Sequence, residues 1–388
     1  MRHQPRPIDR PFWSAGTLVL LVFMIAGGVA LAVRFLFGLG AATNLSNTTP
    51  WGLWIGVDVA SGVALAAGGF TTAALAHIFG RHAYEAVTRP ALLTAALGYT
   101  FVALAVCIDI GRSWAIWKPI FFHNYNSALF EVAMCVMIYL SVLWIEMVPI
   151  LAEKWGNTIP LLGWFNRKLA AFMWIFIVLG VVLSCMHQSS LGTLMVIAPT
   201  KVHPLWYTPF LPLLFLLSAF AVGYPMTIVE TNLATTSLGL DSEMNVLAPL
   251  SRFTILTLGL YMSLKLWDLI HRDVLYLAFD GSPKANSFLV ELGLGVITPW
   301  ILLLFPAVRR SRRGLFTVGL LVVGGVLLNR FNVFIVSYSP QTQTIPYFPS
   351  IGEILVTAGA VATIMFLYRV LATKTPVLSA PKLEEVTR

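Results

Sequence analysis

Residues 125–152 read YNSALFEVAMCVMIYLSVLWIEMVPILA, an apolar run whose only charges are Glu131 and Glu146. A helix crosses the hydrocarbon core of a bilayer with roughly 20 predominantly apolar residues, and this stretch exceeds that length. Similar runs fall near 13–37, 53–79, 89–112, 167–187, 208–231, 248–271, 286–308, 313–331 and 350–371. Of the 388 residues, 58% are hydrophobic and 11% charged, against about 25% charged in a soluble domain. The sequence therefore predicts an all-α, polytopic membrane bundle of about ten transmembrane helices. A single transmembrane domain covers 1–388, with residues 372–388 expected as a flexible cytoplasmic tail. There is no stretch left for a water-soluble domain.

The net charge of +8 does not indicate a nucleic-acid partner, because the basic residues are spread over short connectors. Most fall on the side of both termini, among them Arg81, Arg89, Lys154, Arg167, Lys168, Arg252, Arg309, Arg310, Arg312 and Arg313. The opposite connectors hold Arg112, Lys118, Lys201, Arg272 and Lys284. The positive-inside rule then makes both termini cytoplasmic. The first apolar run is too long for a signal peptide's core and is read as a retained helix. Cys107, Cys135 and Cys185 are isolated, whereas an iron–sulfur cluster takes about four thiolates. No cluster is expected in this chain, and no metal site. Small residues in the second run (Ser61, Gly62, Ala66, Ala67, Gly68, Gly69) and the ninth (Gly324, Gly325) suit close helix packing. No internal repeat is visible. The connectors Gln188 to Trp206 and Asn332 to Ser350 are long and apolar, which predicts burial, with a docked periplasmic partner the favoured cover.

An ionisable side chain in the bilayer core costs at least ~2.5 kcal/mol, so each needs a reason. Alternating chain directions place Asp58, Asp109, Arg112, Glu131, His187, Lys265, Asp268, His271, Arg272, Arg34 and Arg330 in the outer half. Fewer fall in the inner half: His77, Glu146, Glu230 and Arg252. Helical spacing predicts pairs of Asp109 with Arg112, Lys265 with Asp268, and Asp268 with Arg272. The last two pairs form an expected structural charge cluster. Glu131 has no cation at helical spacing, only Ser127, Ala128 and Cys135. A carboxyl in such surroundings is a candidate proton carrier, and Asp58 follows the same logic. Glu230 is a candidate for the opposite end of a proton route. Of the histidines, His187 and His271 alone could share a depth, which argues against haem b and leaves His187 to hydrogen-bond a polar headgroup.

Specific local stretches accompany this pattern: PWGLWIGVDVASGVALAAGGF (50–70), IDIGR (108–112), NSALFEVAMC (126–135), MHQSSLGTLM (186–195), KVHPLW (201–206) and YFPSIGEI (347–354). Through these the chain resembles the NrfD/polysulfide-reductase membrane-subunit family, and within it the HybB-type branch of nickel–iron hydrogenases, over nearly its whole length. The resemblance implies a quinone-reacting subunit of the bacterial cytoplasmic membrane, using menaquinone or ubiquinone. It further implies a ferredoxin-like iron–sulfur subunit docked on the periplasmic side, wired to the large and small hydrogenase subunits. Carried over by position, the quinone pocket would involve Asp109, Arg112, His187, Gln188 and Ser189, with Glu131, Asp58 and Glu230 conducting protons. KLWDLIHRD (265–273) departs from the family, with Trp267 and Asp268 where a Gly–Glu pair is usual. That leaves a polysulfide, nitrite or sulfite-type system open as the partner. A passive membrane anchor would explain the helices but not the buried acids. A secondary transporter would hold its sites near the midplane within inverted repeats, which this pattern lacks.

Overall fold

The computed structural model describes residues 4–8, 11–241, 243–340 and 347–380. Ten helices long and apolar enough to span a membrane occur among them: α1 (Ala15–Phe37), α2 (Trp54–Ile78), α3 (His82–Asp109), α4 (Ala128–Trp155), α5 (Pro160–Val196), α6 (Leu211–Leu238), α7 (Met244–His271), α8 (Pro283–Leu304), α9 (Arg312–Val336) and α10 (Ile351–Lys374). The chain is thus an integral membrane, all-α protein.

Local chemistry fixes the helix ends. Ser127, Ser282 and Ser311 cap α4, α8 and α9 through their hydroxyls, supplying acceptors for first-turn amides that have no partner within the helix. Ser350 and Glu353 form a reciprocal capping box on α10. Helix α6 stops at Gly239, whose φ of 64° is a left-handed conformation that glycine takes without a Cβ penalty.

The N-terminal segment pairs antiparallel with the C-terminal one, Gln4 with Ala380 and Pro5 with Ser379. Both ends of the described chain therefore lie on one face, called here the terminal face; the other is the distal face. The expected free tail is corrected by this pairing. Val377 and Leu378 are buried, and Arg89 donates to the Pro376 carbonyl at 2.9 Å. Residues 381–388 lie outside the described residues.

Helices α2–α5 form one group and α6–α9 a second, running in the same directions, while α1 and α10 pack together beside α2 and α3. Helix α2 is the axis: 89% of its most apolar stretch is buried, against 17% for α1, α5 and α10. The glycine-rich reading of α2 holds, for it crosses α6 reciprocally. A Cβ on Gly68 would stand 2.9 Å from Thr227 Oγ1, and one on Gly223 2.6 Å from Thr71 Oγ1. The expectation of no repeat is also revised. Asn126–Ser127–x–Leu129–x–Glu131 opens α4, and Asn286–Ser287–x–Leu289–x–Glu291 recurs in α8, at the same place in the second group. Shared directions and a mutual crossing are the marks of parallel repeats.

The apolar connectors are buried by the chain itself in part, while Ile197 and Phe348 stay exposed. The fifth helix continues to Val196, so Gln188 to Val196 is helix and not loop. Beyond it Val202, Leu205 and Trp206 join the core, pinned by His203 N–H to Ser337 O at 3.0 Å. Asn332 to Val336 extends α9 as a π-helical turn; of the loop that follows, residues 341–346 lie outside the described residues.

Candidate functional site

On the distal half of the first group, α5 presents His187, Gln188 and Ser190 inward, all buried. His187 Nδ1 lies 3.2 Å from the Tyr99 hydroxyl of α3, and its Nε2 has no hydrogen-bond partner. Gln188 donates to the Val63 carbonyl of α2 at 2.8 Å, leaving Oε1 unpartnered; the buried hydroxyls of Ser61 and Ser184 lack partners as well. Buried polar atoms are overwhelmingly paired in folded proteins, so this gathering marks a place where a polar partner belongs. Glu131, in the first turn of α4, accepts from Ser190 Oγ at 2.5 Å and is itself exposed. The serine that meets it is Ser190, one residue on from Ser189 of the sequence reading.

At the distal end of α3 the expected pair of Asp109 with Arg112 does not form. The helix ends at Asp109, the chain turns extended at Ile110 (ψ 123°), and Arg112 emerges exposed. Arg34 of α1 stands there instead, buried, donating to the carbonyls of Ile108 at 2.6 Å and Ile110 at 2.7 Å. Asp109 Oδ1 is buried without a partner. Asp58 accepts from Thr357 of α10 at 2.8 Å. Glu353, fully buried, takes the Tyr347 hydroxyl and the amides of Asn44 and Ser350. Sequence alone did not single out Glu353, whose partners come from the 44 and 347 regions of the chain as well as from its own cap.

The second group holds its charges differently. Lys265 pairs with Glu291 of α8, not with Asp268. Glu291 also accepts from Asn329, Asn332 and Trp206, each at 2.8 Å. Asp268 does pair with Arg272, at 2.7 Å, and accepts from Thr208 at 2.8 Å. Arg330 is fully buried over the Phe215 ring, 3.6 Å from its centroid. Sequence spacing missed Glu291 because its partner lies on another helix; the lone carboxyl in an apolar run was the available signal. Lys265, Asp268 and Arg272 also line a cavity with Trp206 and Tyr261 large enough for about one water.

On the terminal half, Glu230 faces Thr94 and Tyr368, and Glu146 lies against Gly180 of α5. Neither is brought to Glu131. Among the histidines, His271 is exposed and stacks on Trp267, and His123 bonds the Ile120 carbonyl in a connector. His203, also in a connector, is held below its ordinary range by burial, with Lys284 adding to the effect. A bis-histidine haem needs two facing imidazoles, and the described residues offer His187 no such counterpart. No group of three metal-ligating side chains occurs among them either.

Residues 41–340 match the family described as "Polysulphide reductase, NrfD". The chain is 36% identical over 383 residues to a protein of Nitratidesulfovibrio vulgaris, covering 95% of this chain and 96% of that one. It is 34% identical to the "Probable Ni/Fe-hydrogenase 2 b-type cytochrome subunit" of Escherichia coli, over 100% of this chain and 98% of that protein. A further relative is the "Menaquinone reductase, integral membrane subunit" of Nitratidesulfovibrio vulgaris, 27% identical over 84% of this chain and 81% of its own length. With a family match over most of its length and a hydrogenase-subunit relative spanning nearly all of both chains, this protein belongs to the NrfD family of membrane subunits.

Proposed function

We propose that the chain is the quinone-reacting membrane subunit of a respiratory oxidoreductase complex. Electrons arrive from an iron–sulfur partner docked on the distal face and reduce menaquinone or ubiquinone, which takes up two protons per two electrons. The observation that carries the reading is the set of orphaned buried atoms, His187 Nε2 and Gln188 Oε1 among them, one helical turn from the Ser190–Glu131 hydrogen bond. A quinone headgroup offers carbonyl oxygens, which the His187 N–H can meet. Asp109, Arg112 and Ser189 would complete its surroundings. Glu131 and Asp58 handle protons at the distal end, and Glu230 is the corresponding acid of the terminal half. Binding and proton supply are the protein's share of such chemistry; the quinone carries the redox step.

The basic residues of the terminal-face connectors favour a cytoplasmic terminal face, in the cytoplasmic membrane of a bacterium, with the distal face periplasmic. The hydrogenase relative favours a nickel–iron hydrogenase as the electron source. The menaquinone reductase relative, together with Asp268 at a departed motif, keeps another reductase-type complex as the second reading for the partner. The complex bearing Glu131→Gln should lose quinone reduction by about 100-fold, the lower end of the range for a positioned proton-transfer group, while dye-linked activity of its catalytic subunits stays intact. Unchanged quinone turnover in that variant would remove Glu131 from the mechanism; a complex with no quinone-dependent turnover and no quinone photo-crosslink near His187 would reduce the chain to a passive anchor.

A further inference from the structure

The connector from α8 to α9 reads FPAVRRSRRG at 305–314, with arginine at 309, 310, 312 and 313. It is a closed turn. Pro306–Arg309 makes one helical turn, Arg310 N–H donates to the Pro306 carbonyl at 3.0 Å, and the Ser311 hydroxyl caps α9 by accepting from Gly314 N–H at 3.2 Å. Gly314 permits the closure, since a Cβ there would stand 2.7 Å from the Val308 carbonyl oxygen. The backbone therefore holds these arginines together at the terminal face.

Other arginines of this face find acceptors within the chain. Arg89 donates to Glu153 and to the Pro376 carbonyl, and Arg369 to the Pro11 and Phe12 carbonyls. Arg312 closes the end of α6 through Asn232, Thr235 and Thr236. Arg309 differs: its Nε is buried and has no hydrogen-bond partner. Arg310, Arg313 and Arg252 are exposed. None of these four joins an ion pair among the described residues, although Asp241 and Glu243 stand in the connector from α6 to α7. Charge that only sets orientation is served by a hydrated side chain. A buried guanidinium N–H without an acceptor costs stability unless something outside the chain accepts from it.

The cationic turn ends an apolar strip. Helices α7 and α8 lie side by side, with Trp300 Nε1 donating to the Ile255 carbonyl at 3.1 Å. Three residues before Ile255 and four after Trp300 bring both helices roughly 5 Å nearer the terminal face, where Arg252 and Leu304 stand. Arg252, Leu256 and Leu260 follow at four-residue spacing along one face of α7, and both leucines are exposed. Leu304 and Phe305 of the neighbouring helix end are exposed too. In a membrane-spanning bundle such a strip meets acyl chains, and the arginines stand at its headgroup end.

We propose that the α8–α9 turn, with Arg252, binds the phosphodiester of an anionic phospholipid. Arg309 Nε–H donates to a phosphate oxygen, and Arg310, Arg313 and Arg252 balance the charge; planar guanidinium forks match phosphate oxygens. The first-turn amides of α9 add the positive end of a helix dipole. The acyl chains run along Leu256, Leu304 and Phe305. This lipid staples the second group of helices from outside, independently of the quinone reading.

The whole complex is purified in detergent and its retained phospholipid counted by native mass spectrometry. It is then stripped of lipid and returned to nanodiscs of phosphatidylcholine, alone or mixed with phosphatidylglycerol, and melted. Wild type should retain phosphatidylglycerol and gain apparent Tm in the mixed discs. Arg309→Gln should weaken retention about tenfold, as losing a hydrogen bond to a charged group does, and remove most of the Tm gain. Arg309→Lys should restore only part of both, because an ammonium lacks the Nε donor. Arg310→Gln, at an exposed position that folding does not depend on, should shift both in the same direction. Lys168→Gln, an exposed cation in another connector of the same face, should change neither. Equal retention by wild type and Arg309→Gln overturns the site, as does an equal loss at Lys168→Gln, which would reduce it to general surface charge. A Tm gain reproduced by inorganic phosphate in phosphatidylcholine discs overturns the lipid as occupant.

Discussion

The same six-residue signature, Asn–Ser–x–Leu–x–Glu, occurs at 126–131 and at 286–291, and the two glutamates have opposite fates. Glu291 is 1% exposed and saturated: one ion pair with Lys265 and three neutral donors. Glu131 is exposed and holds one serine, next to a helix whose buried polar atoms lack partners. Local sequence is therefore no guide to the role of either acid. What separates them is a cation delivered from another helix, Lys265 of α7, for which the first group has no counterpart. A buried charge with every lone pair satisfied is structure; an exposed acid held by one serine is not committed in that way.

The sharpest way to break this comparison is to remove the cation. Lys265→Met leaves Glu291 buried and unpaired, and breaking such a pair costs ~3–5 kcal/mol. The complex should show a large drop in apparent Tm, and Lys265→Met combined with Glu291→Met should recover most of it, since an apolar pair of similar volume replaces a buried ion pair at little cost. Quinone turnover per folded complex should stay within about twofold, because a group outside the reacting centre contributes little to the barrier. If the single variant melts like wild type, or loses turnover without losing stability, the second group is not a structural lock.

Ten helices were legible from hydropathy alone, because the bilayer dictates apolar length regardless of packing. The i,i+4 pair of Asp268 and Arg272 was legible too, since one helix supplies both members. The Asp109–Arg112 pair failed for a local reason: the helix ends between its members. The Lys265–Asp268 pair failed for a long-range one, Glu291 being closer and reached from α8. His187 and Glu131 were singled out because ionisable groups stand out in apolar runs, and Gln188 through the resemblance carried by MHQSS. Ser190 and Tyr99, which touch them, were not, because hydroxyls are ordinary in membrane helices, and only the fold shows which ones converge. The packing of the stretch up to Leu378 was not legible because Val377 and Leu378 are too short a run to signal their own burial.

The two groups meet where α2 crosses α6, and that contact tests whether they are repeats set about a shared axis. Gly68→Ala and Gly223→Ala should each destabilise by ~1–3 kcal/mol, the usual cost of overpacking, because the new methyl meets a threonine hydroxyl at 2.9 Å or 2.6 Å. Thr227→Ala should relieve the first and Thr71→Ala the second, each rescue working only on its own partner. Gly324→Ala, with nothing within 4 Å of its added Cβ, should be neutral or slightly stabilising. Equal gains at all three glycines would point to helix propensity alone, which favours alanine, and equal losses would show that the reciprocal crossing is not what the first two glycines serve.

The smallest effect sharpens the comparison most at the ends of α3 and α7, where each group closes its second helix with an aspartate and an arginine. Arg272 is committed: it pairs with Asp268 and donates to the Pro204 carbonyl at 2.9 Å. Arg272→Ala should therefore cost ~1–3 kcal/mol, the range for losing hydrogen bonds to a charged, partly buried group. Arg112 stands exposed beyond its helix, and Arg112→Ala should shift stability by no more than ~0.5 kcal/mol, as surface substitutions do. If Arg112 meets the quinone or the docked partner, the same variant should raise the apparent KM for quinone several-fold, or weaken assembly, with Tm unmoved. A thermal loss at Arg112 matching that at Arg272 would make the two helix ends equivalent, and the distinction between an open group and a locked one would rest on the glutamates alone.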